Sequence, residues 1–185
     1  MKSELKEKVD KAIERIKIFE NSAKRHGDGN GYYLAFSGGK DSVVTKALMD
    51  MAGVSYDAHY RVTSVDPPEL VHFIKEKYPD VEFSFPRYND GTRITMWNLI
   101  PRKLMPPTRL VRYCCSSLKE DGGDGRFTVT GVRWEESTNR KNSHGQVTLM
   151  DRNAGKDLAD DPNFRTTRQG GGRSCKRQLG GKAGG

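Results

Sequence analysis

The sequence predicts an α/β fold: a mostly parallel sheet in three layers with helices on both faces, a Rossmann-like arrangement. Two observations predict it. Short apolar runs rich in aromatic and β-branched residues alternate with helical patterns from Tyr32 to Val132. The first of those runs, Tyr32-Tyr33-Leu34-Ala35-Phe36, turns into the next helix through Ser37-Gly38-Gly39-Lys40-Asp41-Ser42. A strand that enters a helix through adjacent glycines is built to hold phosphate. The glycines let the backbone approach an anion with no Cβ in the way, and the first amides of the helix are donors at its positive end.

Taken in order, the chain opens with an amphipathic helix carrying Leu5, Val9, Ile13, Ile16 and Phe19 on one face, ended by the turn His26 to Gly31. These glycines precede the strand, so they form a turn and not a dinucleotide fingerprint. Strand one is Tyr32 to Phe36, followed by a helix from Asp41 to Met51 with Gly53 as its stop signal. Strand two is Tyr56 to Val62. Pro67-Pro68 starts the next helix at its first turn, and the helix runs to about Tyr78, before Pro79. Strand three is Val81 to Phe85, and a short helix covers Ile94 to Ile100. Pro106-Pro107 marks a loop, Cys114 to Glu120 reads as helical, and Asp121 to Gly125 is a turn. Strand four is Arg126 to Val132, and Gln146 to Met150 reads as a short further strand.

These elements suggest a helix and turn over 1–31, a nucleotide-binding domain over 32–162 and a tail over 163–185. With 185 residues, 34% of them hydrophobic and 30% charged, the chain is long enough for one domain and an appendage. From Asn163 onward there are six Lys or Arg and no Asp or Glu, which supplies most of the formal net charge of +8. The high pI therefore reports on the tail and is discounted as a sign of nucleic-acid or membrane binding. Seven glycines among basic residues from Gly170 to Gly185 cannot bury enough surface to offset their ordering entropy, so the tail is expected to be disordered. Met1 to Arg25 is charged throughout and no apolar run approaches the length of a membrane span, which predicts a cytoplasmic protein with no membrane partner. Three cysteines, two adjacent at Cys114-Cys115, do not make a disulfide framework, and reduced thiols are expected.

The candidate site residues follow from the sheet. In open parallel sheets ligands lie beyond the carboxyl ends of the strands, where strand order reverses. The nucleotide-binding candidates are Ser37, Gly38, Gly39, Lys40, Asp41 and Ser42 after strand one, Asp66 after strand two, and Arg133, Ser137 and Arg140 after strand four, with Arg112 and Lys119 flanking the cysteine pair. The loop is not a Walker A motif, because Asp41 follows Lys40 where that motif needs Ser or Thr for magnesium. Asp66 is suited to accept from ribose hydroxyls or an adenine amine, or to cap the helix behind it. Arg109, Arg112 and Lys119 form either an anion-binding cluster or a solvated face. Arg133 and Arg140, with Ser137 between them, are able to fork onto phosphate or sulfate oxygens. No metal-ligand set is identified.

The hexapeptide resembles the pyrophosphate loop (PP-loop), SGGxDS, of the adenine-nucleotide alpha-hydrolase superfamily. Joined with Val65-Asp66-Pro67-Pro68-Glu69, Arg112-Tyr113-Cys114-Cys115, Leu118-Lys119, Gly131-Val132-Arg133, Glu136-Ser137 and Arg140, it resembles the phosphoadenosine phosphosulfate (PAPS) reductase family in order and approximate spacing. The resemblance runs from about Tyr32 to Arg140. It implies an enzyme that binds an adenine nucleotide, PAPS or ATP, with magnesium accompanying ATP. The loop would take the phosphosulfate or phosphates, Asp66 would lie near the nucleoside, and Arg133, Ser137 and Arg140 would contact anionic groups. A thiol electron donor or a sulfur donor is implied as partner; nucleic acid and oligomeric state are left open.

The sequence also departs from that pattern. It has no Glu-Cys-Gly segment carrying the reductase nucleophile, and Cys175 stands among Gly, Arg, Ser and Lys instead. Three cysteines cannot supply the four thiolates of the family's iron-sulfur branch. Cys114 and Cys115 remain the candidates for catalysis, as a remnant of that site, a sulfur carrier or core residues. A truncated or shortened family member is expected. Three functional readings stand: activated-sulfate reduction, an ATP pyrophosphatase or sulfurtransferase of the tRNA- or DNA-thiolation type, and a nucleotide-binding remnant without catalysis.

Overall fold

A computed structural model describes residues 2–26, 29–120, 122–123, 125–131, 148–149 and 177–178. The chain divides into two compact units, Met1–Gly131 and Val132–Gly185. The first contains a four-stranded sheet in the order β3-β2-β1-β4, built from β1 (Tyr32–Ala35), β2 (Tyr56–Arg61), β3 (Glu82–Ser84) and β4 (Thr128–Val129). Every pairing in it is parallel: Tyr32 lies opposite Tyr56, His59 opposite Glu82, and Tyr33 opposite Thr128. The chain steps outward from β1 to β2 to β3 and then returns to the other side of β1. Strand order therefore reverses between β1 and β4.

Helices join these strands, as the alternation requires. β1 leads to α3 (Lys40–Ala52), which ends at Gly53 in the left-handed region with φ 67° and its N–H bonded back to the helix. β2 leads to α4 (Pro68–Lys77), which begins on the proline pair. Between β3 and β4 lie α5 (Met96–Lys103), a single turn α6 (Tyr113–Cys115) and a π-helical turn over Ser116–Glu120. α5 starts later than the sequence suggests and runs past Pro101. Thr95 and Asn98 close a reciprocal capping box at its start, which fixes the first helical residue at Met96.

The amino-terminal segment is not one helix. It is α1 (Lys2–Ile18) and α2 (Glu20–His26), separated at Phe19. The Tyr32 hydroxyl donates to the Ile16 carbonyl at 2.5 Å, the carbonyl that a continuous helix would use for residue 20. Phe19 is buried at the break and its ring lies near Phe127, so an apolar anchor fixes the bend. Most of the expected apolar stripe is covered: Phe19 is buried and Val9, Ile13 and Ile16 are partly covered, whereas Leu5 is exposed.

The two faces of the sheet differ. Leu34, Phe36, Ala58 and Tyr60 share one face and form the core with Ile74 and Val81, joined by Val43 of α3 and Leu70 and Val71 of α4. On the other face stand Tyr33, Asp57, His59, Arg61 and Thr128. Tyr33 stacks on His59 with centroids 4.4 Å apart. Arg126, just before β4, reaches across β1 to clamp Asp57 with both nitrogens of its fork, one at 2.6 Å, and also donates to the carbonyls of Gly31 and Tyr32. That guanidinium holds the Asp57 carboxyl below the usual carboxylate range, against the opposing effect of burial.

In the second unit, Thr148–Leu149 (β5) pairs antiparallel with Arg177–Gln178 (β6). β5 falls within the further strand expected at Gln146 to Met150, and β6 lies within the basic tail. No helix among the described residues is long and apolar enough to cross a membrane.

Candidate functional site

The loop after β1 occupies the central strand of the sheet, beside the point where strand order reverses. Gly38 adopts φ 71°, a conformation that L side chains avoid. A Cβ there would meet the Leu70 and Ile74 side chains at 2.7 and 2.9 Å, so Gly38 is also where the loop presses onto α4. Gly39 is different. Its φ of −76° suits any residue, and a Cβ would have only Ser37 Oγ near it, at 3.5 Å. Among the described residues, neither backbone geometry nor packing accounts for a glycine at 39.

Gly39 caps α3 through its backbone, with no side chain bonded to the helix start. The first amide to reach back is that of Val43, to the Gly39 carbonyl at 3.0 Å. Ser42 is buried and donates to the same carbonyl at 2.8 Å, while Ser37 donates to Ser42 at 3.2 Å. The two hydroxyls thus brace the turn internally. Lys40 is exposed beside it. Such a turn presents backbone donors, the positive end of a helix and one ammonium to an anion.

The segment leaving β4 meets this loop. A Cβ on Gly131 would lie 2.8 Å from the backbone carbonyl of Asp41 and 3.0 Å from Thr45 Oγ1. Only glycine lets the strand end come this close to the first turn of α3. The sequence signalled Gly131 only as part of a motif; its packing role emerges from the fold. Arg133, Ser137 and Arg140 lie outside the described residues.

Asp66 lies beyond the carboxyl end of β2, next to β1. It does not cap α4, whose N-cap is Pro67 without a side-chain bond. Its Oδ2 instead accepts from Tyr60 at 2.7 Å and Thr63 at 2.6 Å. Burial and the neighbouring carboxylate push the Tyr60 hydroxyl above its ordinary range, so it remains a donor at neutral pH. Tyr60 and Thr63 were not singled out in the sequence, where Tyr60 falls within strand two and Thr63 in the segment that leads to Asp66.

The cysteine pair lies on α6. Cys114 packs beside Ile94, Leu99 and Leu118, a small cluster with Tyr88, Met96 and Tyr113 around it. Cys114 and Cys115 are free thiols, both partly covered. Arg112 donates toward Cys115 Sγ at 3.6 Å, and Lys119 is exposed. The cluster is tied to the sheet by Arg61, which donates to the Leu118 carbonyl at 3.3 Å, and by the Met96 amide, which donates to Ser64 at 2.9 Å. Among the described residues, no group of three or more His, Cys, Asp or Glu could hold a metal ion.

Sequence reasoning passed over one buried cation. Lys46 bonds to Asp80 at 2.8 Å, Tyr56 at 2.9 Å and Asp50 at 3.3 Å. Burial favours its neutral form, but these bonds outweigh that effect and hold its ammonium above the ordinary lysine range. It ties α3 to the start of β2 and to the turn before β3, a structural role.

No family model, curated protein or solved structure matches this chain.

Proposed function

We propose that this chain is a PP-loop nucleotide-binding enzyme of the PAPS reductase type, acting on an adenine nucleotide in activated-sulfate reduction or sulfur transfer. The observation that carries the reading is the Ser37 to Ser42 turn, which runs from a central parallel strand into the start of α3, which has no side-chain cap, where strand order reverses. Gly39 adds support. It is a glycine that packing among the described residues does not require, and a close-approaching anion would require it. On this reading the fold is the three-layer, Rossmann-like arrangement of that superfamily, and the protein acts in the cytoplasm.

The ligand is PAPS or ATP, with magnesium carried on the phosphates of ATP. Arg112 and Lys119 are the further cations of this reading. Arg112 beside Cys115 supports a second reading within the same fold, an ATP pyrophosphatase that passes sulfur to an acceptor. The guanidinium places a cation next to a sulfur able to carry the transferred atom.

Calorimetric titration with ATP, PAPS and adenosine 3',5'-bisphosphate tests the reading. At least one nucleotide is expected to bind, and Lys40→Ala combined with Ser42→Ala is expected to weaken it at least tenfold, about 1.4 kcal/mol. Unchanged affinity in the double variant would refute the assignment of the loop. Thiol-dependent turnover of PAPS identifies the reductase, and pyrophosphate release from ATP identifies the second reading.

A further inference from the structure

The segment between α5 and α6 holds leucines outward at two places where turn chemistry asks for other residues. Leu104 ends α5 in the left-handed region, at φ 57°, a position that glycine or asparagine ordinarily takes. It is 91% exposed. Beyond it the Tyr113 hydroxyl donates to the Met105 carbonyl at 2.5 Å and closes 105–113 into a loop. Two bonds join Thr108 and Val111 inside that loop, from the Thr108 amide to the Val111 carbonyl at 3.1 Å and from the Val111 amide to Thr108 Oγ1 at 3.0 Å. Arg109 and Leu110 are left at the tip, where Gly, Asn, Asp or Ser is usual, and Leu110 is 95% exposed. Packing among the described residues covers neither leucine.

The surroundings are cationic. From Gly91 to Lys119 the chain carries six Lys or Arg and no Asp or Glu, and all six are exposed. Among the described residues only Arg102 of the six has an acidic partner, Asp90 at 3.8 Å. A cation stands directly before each leucine, Lys103 before Leu104 and Arg109 before Leu110. Trp97, on the helix that leads into the loop, is 73% exposed. Protruding leucines set among cations, with a tryptophan on the adjoining helix, match a lipid surface. The leucines enter the acyl boundary, the cations meet headgroup phosphates, and an indole prefers the interface between the two. Single-stranded RNA fits less well, because an aliphatic side chain offers a base no ring to stack on. A protein partner also fits less well, since leucine is under-represented among the anchors of protein interfaces. The expectation of no membrane partner rests on the lack of a spanning run, and docking on a surface requires none.

We propose that Leu104 and Leu110 insert into an anionic lipid surface, with Lys103 and Arg109 on its headgroup phosphates, so that the loop between α5 and α6 docks the protein on a membrane. The inference goes beyond the nucleotide reading and does not depend on it.

Flotation of the full chain with vesicles tests it, using phosphatidylglycerol and phosphatidylcholine in equal parts against phosphatidylcholine alone. The wild type should float with the anionic vesicles and bind the neutral ones at least tenfold more weakly, since each Lys or Arg at an anionic surface contributes about fivefold. Leu104→Asn combined with Leu110→Asn should weaken anionic binding at least tenfold, the effect of removing a leucine from an apolar environment. That variant keeps every cation of the chain, the basic tail included. Asparagine suits both turns, so its melting temperature should equal or exceed that of the wild type. Lys103→Ala combined with Arg109→Ala should weaken anionic binding by about tenfold or more. A wild type that stays off anionic vesicles overturns the inference, as does one that binds a single-stranded oligoribonucleotide and no vesicle. Vesicle binding undiminished in the asparagine pair belongs to other cations, such as those of the tail, and overturns it as well.

Discussion

The two glycines of the loop make opposite demands, and substituting each by alanine separates folding from binding. In Gly38→Ala the new methyl sits at φ 71°, which costs about 1–2 kcal/mol for an L residue in the left-handed region. It also enters the space of Leu70 and Ile74, at 2.7 and 2.9 Å, in a part of the core where Ile74 is fully buried. Overpacking of that kind costs about 1–3 kcal/mol. The sum, about 2–5 kcal/mol, is a large part of an ordinary domain's stability. In Gly39→Ala the backbone already suits alanine and, among the described residues, the methyl meets only Ser37 Oγ at 3.5 Å. Exchanging glycine for alanine at an N-cap costs about 0.5–1 kcal/mol, partly offset by the lower entropy of the unfolded chain. Urea denaturation should therefore show Gly38→Ala strongly destabilised and Gly39→Ala within about 1 kcal/mol of the wild type. Titration should show Gly39→Ala binding nucleotide at least tenfold more weakly, because its methyl stands where the anion approaches the backbone. A Gly39→Ala protein with normal stability and normal affinity would refute the idea that this glycine exists for the ligand. A Gly38→Ala protein as stable as the wild type would refute the packing account.

Two further predictions concern stability. Arg126 keeps the Asp57 carboxyl below its ordinary range, so this pair stabilises the fold above the unfolded aspartate value, near pH 3.9, and the contribution is lost as pH falls through the lower folded value. Arg126→Ala should lower stability at neutral pH by about 1.5–3 kcal/mol and flatten the acid limb of a stability profile; an unchanged limb would remove the clamp from the account. Lys46 shifts the other way: its contribution is complete below the unfolded lysine value, near pH 10.4, and is lost as pH rises through the higher folded value. Lys46→Met should cost about 1–3 kcal/mol at neutral pH and remove the part of alkaline destabilisation that comes from this group, as read by thermal melts across pH.

Much of the fold was legible because its punctuation is chemical. Gly53 stops α3, Pro68 opens α4, and the apolar runs at Tyr32, Tyr56 and Val81 each became or adjoined a parallel strand. Boundaries moved where a bond outside the pattern decided them. Tyr32 takes the Ile16 carbonyl and the first helix breaks; Thr95 and Asn98 cap each other and α5 starts late. Neither pairing has a periodicity to detect. The loop was legible as a motif, but the different duties of its two glycines were not, because one depends on α4 residues more than thirty positions away.

The polar face of the sheet was written in the sequence and read past. β2 reads Tyr-Asp-Ala-His-Tyr-Arg, with Asp57, His59 and Arg61 alternating against Tyr56, Ala58 and Tyr60. That strict alternation is the pattern of a strand with one apolar face, and the structure agrees: the apolar set packs on α4 while the polar set meets Tyr33 and Arg126. Burial of one apolar face already specifies the register, because a one-residue slip would turn its side chains to the other face, and an arginine spanning three strands adds directional bonds to it. The clamp at Asp57 and the aimed carboxylate at Asp66 both hang on β2, one near its start and the other just past its end. The strand that carries no motif therefore ties the register of the sheet to the geometry of the site.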